Sequence, residues 1–179
     1  MPKHIEGIRE RILTETRAIL IADGYDRLNI RDVAARCGAS IGTVYHYFES
    51  KEMLSATVML TDWQEMLTSL TAATADLPDM LSVMEAIISG ITAFEGIYSG
   101  TFAMYQSHGN ILSMVRSRHG MLVEQVAAII RAQAERLGVL FDASLPDFLA
   151  NMAIYYAGEP GFSFASIRPI LLRLFPVGK

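Results

Sequence analysis

Apolar residues recur along nearly the whole chain at spacings of three and four, and no run alternates every second residue as a half-buried strand would. The first stripe is Ile5, Ile8, Ile12, Ile19 and Leu20. It predicts a helix over residues 5–22 that Gly24 ends, with Arg9, Glu10, Glu15 and Arg17 on the wet side. Two short helices are expected next. Asn29 is the N-cap of the first, Asp32 its capping partner, Val33, Ala34 and Cys37 its inward face, and Gly38 its end. Ser40 caps the second, Ile41 to about Phe48. Val44 and Phe48 point inward, and Gly42, Thr43 and His46 share the opposite face. After Ser50, a long helix from Lys51 to about Thr74 carries Met53, Leu54, Val58, Trp63, Met66, Leu67 and Leu70 at helical spacing.

Leu77-Pro78-Asp79 marks a break. The pattern then predicts a helix over 79–99 ended by Gly100, a short one at about 101–107, a turn at Ser107-His108-Gly109-Asn110, and a long helix over 111–137 closed by Gly138. Further helices are expected at 145–157 and at about 167–175, the last with Ser166 as cap and Pro169 in its first turn. The expectation is an all-α chain of about nine helices.

Helix, glycine-containing turn, helix is the grammar of a helix-turn-helix, whose second helix enters the DNA major groove by its N-terminal end. The run Gly42-Thr43-Val44-Tyr45-His46-Tyr47-Phe48-x-x-Lys51-x-x-Leu54 makes that grammar specific. With Gly24-Tyr25 and Arg31-Asp32-Val33-Ala34 upstream, it closely resembles the DNA-binding signature of the TetR family of bacterial transcriptional regulators. The resemblance covers roughly the first third of the chain. It implies a three-helix DNA-binding domain over residues 1–50 and a larger helical ligand-binding and dimerisation domain over 51–179. It also implies phosphate contacts at Tyr45 and Lys51, and a homodimer paired through the last two helices of each subunit. Here the penultimate helix is short and is followed by Gly158-Glu159-Pro160-Gly161, a departure from that pattern.

The net charge of −4 becomes compatible with DNA once it is divided. Residues 1–52 hold eight Lys/Arg and eight Asp/Glu; the remainder holds seven and eleven. Attraction to a duplex must therefore come from a local face rather than from bulk charge. Within the motif, Ser40 and the free N–H groups beginning the second helix suit a phosphate oxygen. Thr43 meets phosphate or base. Tyr45 donates to phosphate, and Tyr47 either does the same or packs on the first helix. His46 is the candidate for reading a base edge, and Gly42 permits close approach of the backbone. Arg31 reaches phosphate or base. Ile41 either touches a thymine methyl or shields the turn.

Beyond this reader the chain is rich in methionine and aromatic residues, adaptable apolar surface suited to a small-molecule cavity. The candidate lining is Met59, Trp63, Met66, Met84, Phe94, Tyr98, Phe102, Tyr105 and Met114, each of which plain core packing would also explain. Residues 53–115 contain no Lys or Arg. Among them, Asp62, Glu65, Glu85 and Glu95 tilt the expected effector slightly towards a neutral or cationic molecule.

Other chemistry is poorly represented. One cysteine excludes an internal disulfide and suits a reducing cytosol. His108 and His119 have no companion ligands, and no nucleophile elbow or zinc signature occurs, so neither metal, cofactor nor enzymatic activity is expected. Glycines and polar residues interrupt 96–115, which argues against a membrane span there, and the first residues lack the apolar core of a signal peptide. The expected protein is a cytoplasmic homodimeric regulator, a repressor of a palindromic operator released by an apolar small molecule. The alternative is a DNA-bound protein-interaction module without an inducer.

Overall fold

The computed structural model describes residues 7–107, 109–140, 142–159 and 161–175 and, within them, every side chain except those at 100 and 102–118. The described residues form eight α-helices, one 3-10 turn (Tyr25–Arg27) and no strand. The helices are α1 (Ile8–Asp23), α2 (Ile30–Arg36), α3 (Ile41–Tyr47), α4 (Lys51–Thr74), α5 (Met80–Ser107), α6 (Gly109–Leu137), α7 (Leu145–Tyr156) and α8 (Phe164–Leu174). The chain divides into two compact units, Met1–Trp63 with Tyr98–Ser107, and Gln64–Ile97 with His108–Lys179. Both α4 and α5 contribute residues to each unit.

In the first unit α1 buries Ile8, Ile12, Ile19 and Leu20, the stripe its spacing predicts. Gly24 leaves the helix at φ 76°, ψ 175°, a conformation that a side chain strongly disfavours. Asn29 caps α2 by accepting from the Arg31 N–H at 2.9 Å, an Asx-type bond two residues on rather than the reciprocal box with Asp32. Gly38 closes α2 at φ 62°. Seven-residue helices such as α2 and α3 are too short to persist alone in water. They are held by Ile30, Val33, Ala34, Cys37, Val44 and Phe48, all buried. Burial holds the Cys37 thiol above its ordinary pKa, with Glu15 adding to the effect and Arg11 opposing it. It is therefore a core thiol.

In the second unit Asp79 caps α5 through the Ser82 N–H at 2.8 Å. Gly90 lets α4 and α5 approach closely, since a Cβ there would lie 2.8 Å from Leu70 Cδ2. Arg136, near the end of α6, donates to the Leu77 and Thr74 carbonyls at 2.6 and 3.4 Å and so satisfies acceptors at and past the end of α4. Helix α6 is joined to α7 by Arg131 with Asp147 at 3.2 Å and by His119 with Asn151 at 3.1 Å. Residues Met80–Ser99 are long and apolar enough to cross a membrane by length and composition. Much of that apolarity is used inside the chain: Met80, Val83, Met84, Ile87, Ile88 and Ile91 are all at most 2 % exposed.

Three expectations are corrected. Helix α5 runs unbroken past Gly100, so the two helices expected at 79–99 and 101–107 are one. A single glycine costs a helix about 1 kcal/mol, which neighbours can offset, and Tyr98 and Thr101 on either side are buried in helical register. Helix α6 starts at Gly109, inside the expected turn, while His108 lies outside the described residues. Helix α8 starts at Phe164: Ser163 is its cap, and Ser166 is the reciprocal partner in a capping box rather than the cap itself. Pro169 then stands inside the helix, on an exposed position where the loss of its N–H is tolerated. Ile5, at the expected start of the first helix, lies outside the described residues.

Candidate nucleic-acid interface

The short helix α3 has two unlike sides. Val44 and Phe48 are 0 % and 3 % exposed and anchor it to the core of its unit. Gly42, Tyr45 and His46 are exposed, as is Ile41 at 41 %. Its N-terminus is fixed by Ser40, whose Oγ accepts from the Thr43 N–H at 3.0 Å and lies 2.8 Å from Thr43 Oγ1. Both hydroxyls thus stand at the helix start, beside N–H groups that the helix leaves without internal partners. A Cβ at Gly42 would meet only Ser40 Oγ, at 3.7 Å, so that face is open. Tyr47 is half-buried, its ring edge-on to His46 at 5.3 Å.

Beside α3 lies an open groove of about 700 Å³ lined by Asp26, Arg27, Leu28, Asn29, Ile30, Arg31, Asp32, Ile41, Tyr45 and Lys51. Four of the sequence-predicted residues, Arg31, Ile41, Tyr45 and Lys51, meet at this groove. Ser40, Gly42, Thr43, His46 and Tyr47 belong to α3 or its cap but not to the groove wall.

Lys51 is held by a contact that its spacing in sequence does not reveal. Its Nζ sits 4.1 Å from the centroid of the Tyr25 ring, a cation–π arrangement. The Tyr25 hydroxyl donates to Glu52 Oε1 at 2.8 Å. Partial burial lowers the Lys51 pKa, while Asp26 and Glu52 act against it. Glu52 is held below the usual carboxylate value, first by its own backbone N–H and then by Tyr25. The ammonium is thus placed at the groove by an aromatic shelf whose outer end is tied to the same helix, α4.

The first unit contains a second polar centre. Asp62 on α4, 10 % exposed, accepts from Arg17 Nε of α1 at 2.6 Å and from the Tyr98 hydroxyl of α5 at 2.5 Å. Sequence reading placed Arg17 on a solvated face and Tyr98 in a ligand cavity. No local signal joins residues this far apart along the chain.

The candidate cavity residues fall in both units. Met59, Trp63 and Tyr98 are buried in the first, and Met84 and Phe94 are buried and Met66 half-buried in the second. The side chains of Phe102, Tyr105 and Met114 lie outside the described residues. Among the described residues, no group of three or more His, Cys, Asp or Glu is placed to hold a metal ion.

Comparison with known proteins agrees with this geometry. The family model for bacterial regulatory proteins of the tetR family matches residues 12–58, from α1 into α4. The HTH-type transcriptional regulator UidR of Escherichia coli K12 is 25 % identical over 134 residues, covering 73 % of this chain and 68 % of UidR. Salmonella enterica GusR superposes with a TM-score of 0.67 at 19 % identity, over 98 % of this chain and 100 % of that one. The transcriptional regulator FadR from Bacillus subtilis, solved in complex with stearoyl-CoA, gives a TM-score of 0.60 at 12 % identity, over 92 % of this chain and 96 % of that one.

Proposed function

We propose that this chain, whose residues 12–58 match the tetR-family model and which resembles UidR over 73 % of its length, is a TetR-family transcriptional regulator and a cytoplasmic repressor. It binds a palindromic operator as a homodimer and leaves it when an apolar small molecule is bound. The observation that carries this reading is the division of α3, with Val44 and Phe48 anchored inward while Gly42, Tyr45 and His46 face outward. A helix so mounted can enter a major groove by its N-terminal half.

In this reading residues 1–50 form the DNA-binding domain and 51–179 the ligand-binding and dimerisation domain. Tyr45 and Lys51 hold phosphates, with Ser40 and Thr43 at the helix start and Tyr47 behind them. Arg31 reaches phosphate or base, His46 reads a base edge, and Ile41 offers an apolar contact beside Gly42. A two-fold axis would bring two copies of α3 to successive major grooves, one helical turn apart. Exposed apolar residues on α7 and α8, namely Phe148, Tyr155, Tyr156, Ile170 and Leu174, support pairing through these helices. The methionine- and aromatic-rich helices that follow α3 in the chain support an apolar effector, as does the acyl-CoA complex of the Bacillus subtilis neighbour. The effector acts only through its difference in affinity between the DNA-competent and released states.

The test is selection of duplexes from a random library by the purified protein, followed by footprinting. The expected site is a palindrome whose half-sites lie one turn apart, with His46→Ala binding it with relaxed sequence preference. Failure to enrich any sequence at low salt would overturn the DNA-reading assignment. Undiminished preference in His46→Ala would remove only the base-reading role of that residue.

A further inference from the structure

The charge pairing of the first unit isolates one cation that the motif does not include. Arg17 pairs with Asp62, Arg36 with Glu15 at 3.8 Å, and Arg9 with Glu10 at 3.9 Å while also lying over the Phe48 ring. Arg11 donates to the Arg36 carbonyl at 3.4 Å. Arg27, Arg31 and Lys51 make no ion pair among the described residues. All three line the same open groove as Tyr45 and Ile41.

Arg27 ends the 3-10 turn and is exposed. It stands between this groove and a smaller cleft of about 280 Å³, where Asp23, Asp32 and Arg36 are its charged neighbours. A structural role would place its guanidinium on one of those carboxylates. Neither lies within ion-pair distance. Asp26 and Asp32 also line the larger groove and oppose an anion there. The three cations outnumber them, and only the cations can attract a polyanion.

We propose that Arg27 is a third phosphate-binding cation of this regulator, acting with Arg31 and Lys51 around one groove to hold the duplex backbone beside α3. The assignment rests on the DNA-binding reading above and adds a residue to it. Arg27 touches backbone only, so it contributes affinity without sequence preference. Its guanidinium, a planar fork of donors, fits a phosphate better than a lysine would.

The probe is a random-sequence 30-base-pair duplex, because phosphate contacts do not need the operator. Affinity is measured across a salt series for the wild-type protein, Arg27→Ala, Arg27→Lys and Lys51→Ala. Removing a cation from one phosphate lowers the slope of log affinity against log salt by about one. Arg27→Ala is expected to show about one such step, as is Lys51→Ala, with Arg27→Lys retaining most of the slope. The melting temperature of Arg27→Ala should match wild type, since this side chain makes no ion pair among the described residues. An unchanged slope in Arg27→Ala beside a reduced one in Lys51→Ala would overturn the assignment of Arg27 alone. A wild-type protein with no salt-dependent affinity for the duplex would overturn the DNA-binding reading itself.

Discussion

The Tyr98 hydroxyl donates to Asp62 Oδ2 at 2.5 Å, and the same oxygen accepts from Arg17 Nε at 2.6 Å. One carboxylate thereby ties α1, α4 and α5 within the first unit. Burial raises the Tyr98 pKa above its ordinary value, and the Asp62 charge raises it further, so the phenol keeps its proton and acts as the donor. Asp62→Ala removes both bonds and leaves the phenol, 1 % exposed, facing the vacated site. Hydrogen bonds to a charged group contribute about 1.5–3 kcal/mol each. The Arg17 partner is half-exposed and so belongs at or below the low end of that range. Asp62→Ala should cost about 2–4 kcal/mol in urea unfolding and Tyr98→Phe about 1–2. Equal stability of wild type and Asp62→Ala would show that the cluster is not structural.

Tyr25 supports Lys51 by its ring and Glu52 by its hydroxyl. The two roles separate by substitution. Tyr25→Phe keeps the shelf under the ammonium and removes one hydrogen bond, so random-duplex affinity should fall less than about two-fold, the bond being remote from the phosphate. Tyr25→Leu removes a cation–π interaction worth about 0.5–1 kcal/mol and frees Lys51 to sample other positions, so affinity should fall about two- to five-fold at low salt. Fluorescence anisotropy across a salt series checks both. If Tyr25→Leu binds as wild type does, the aromatic shelf does not position the cation.

These residues also mark where the sequence was legible. The α3 face could be read from local rules alone: Ser40 as cap, Val44 and Phe48 four apart, and Gly38 at φ 62° ending α2. Local rules could not reach Asp62, because its partners on α1 and α5 are brought to it by tertiary packing. They misplaced the break at Gly100, where burial of Tyr98 and Thr101 overrides the propensity of one glycine. They assigned α8 to the wrong serine because Ser163 and Ser166 are the two halves of one capping box. The groove wall holding Arg27 is built from a 3-10 turn and parts of three helices, α2, α3 and α4, a surface that no periodicity describes.

Glu95 on α5 is half-buried, and desolvation raises its carboxyl above the ordinary value of 4.5. In the window between the unfolded and the higher folded value, the native state holds more protons than the unfolded one. Stability therefore falls as pH rises through that window, and the penalty is in full force above it. Glu95→Gln removes the charge and keeps the shape. Its melting temperature should exceed wild type at about pH 7, and the difference should shrink towards zero as pH drops below about 4.5. A difference that is constant with pH would show that Glu95 ionisation is not coupled to folding.

Phe148 and Tyr155 lie seven apart on α7, on one helical face, and are 64 % and 68 % exposed; Ile170 on α8 is 61 % exposed. Apolar side chains left this open on consecutive helices are expected to be covered when the proposed dimer forms. Charges there would be desolvated against an apolar partner, and two copies of the same charge would face one another near the two-fold axis. Phe148→Glu with Tyr155→Glu should therefore convert a dimer to a monomer in sedimentation equilibrium. Both positions are exposed within one chain, so the helical circular dichroism of the monomer should survive. Binding to a palindromic duplex should then lose its dependence on the second half-site, and binding to a random duplex should keep the single-chain salt slope. If the doubly substituted protein sediments as a dimer, α7 is not the pairing face, and the exposed residues need another partner.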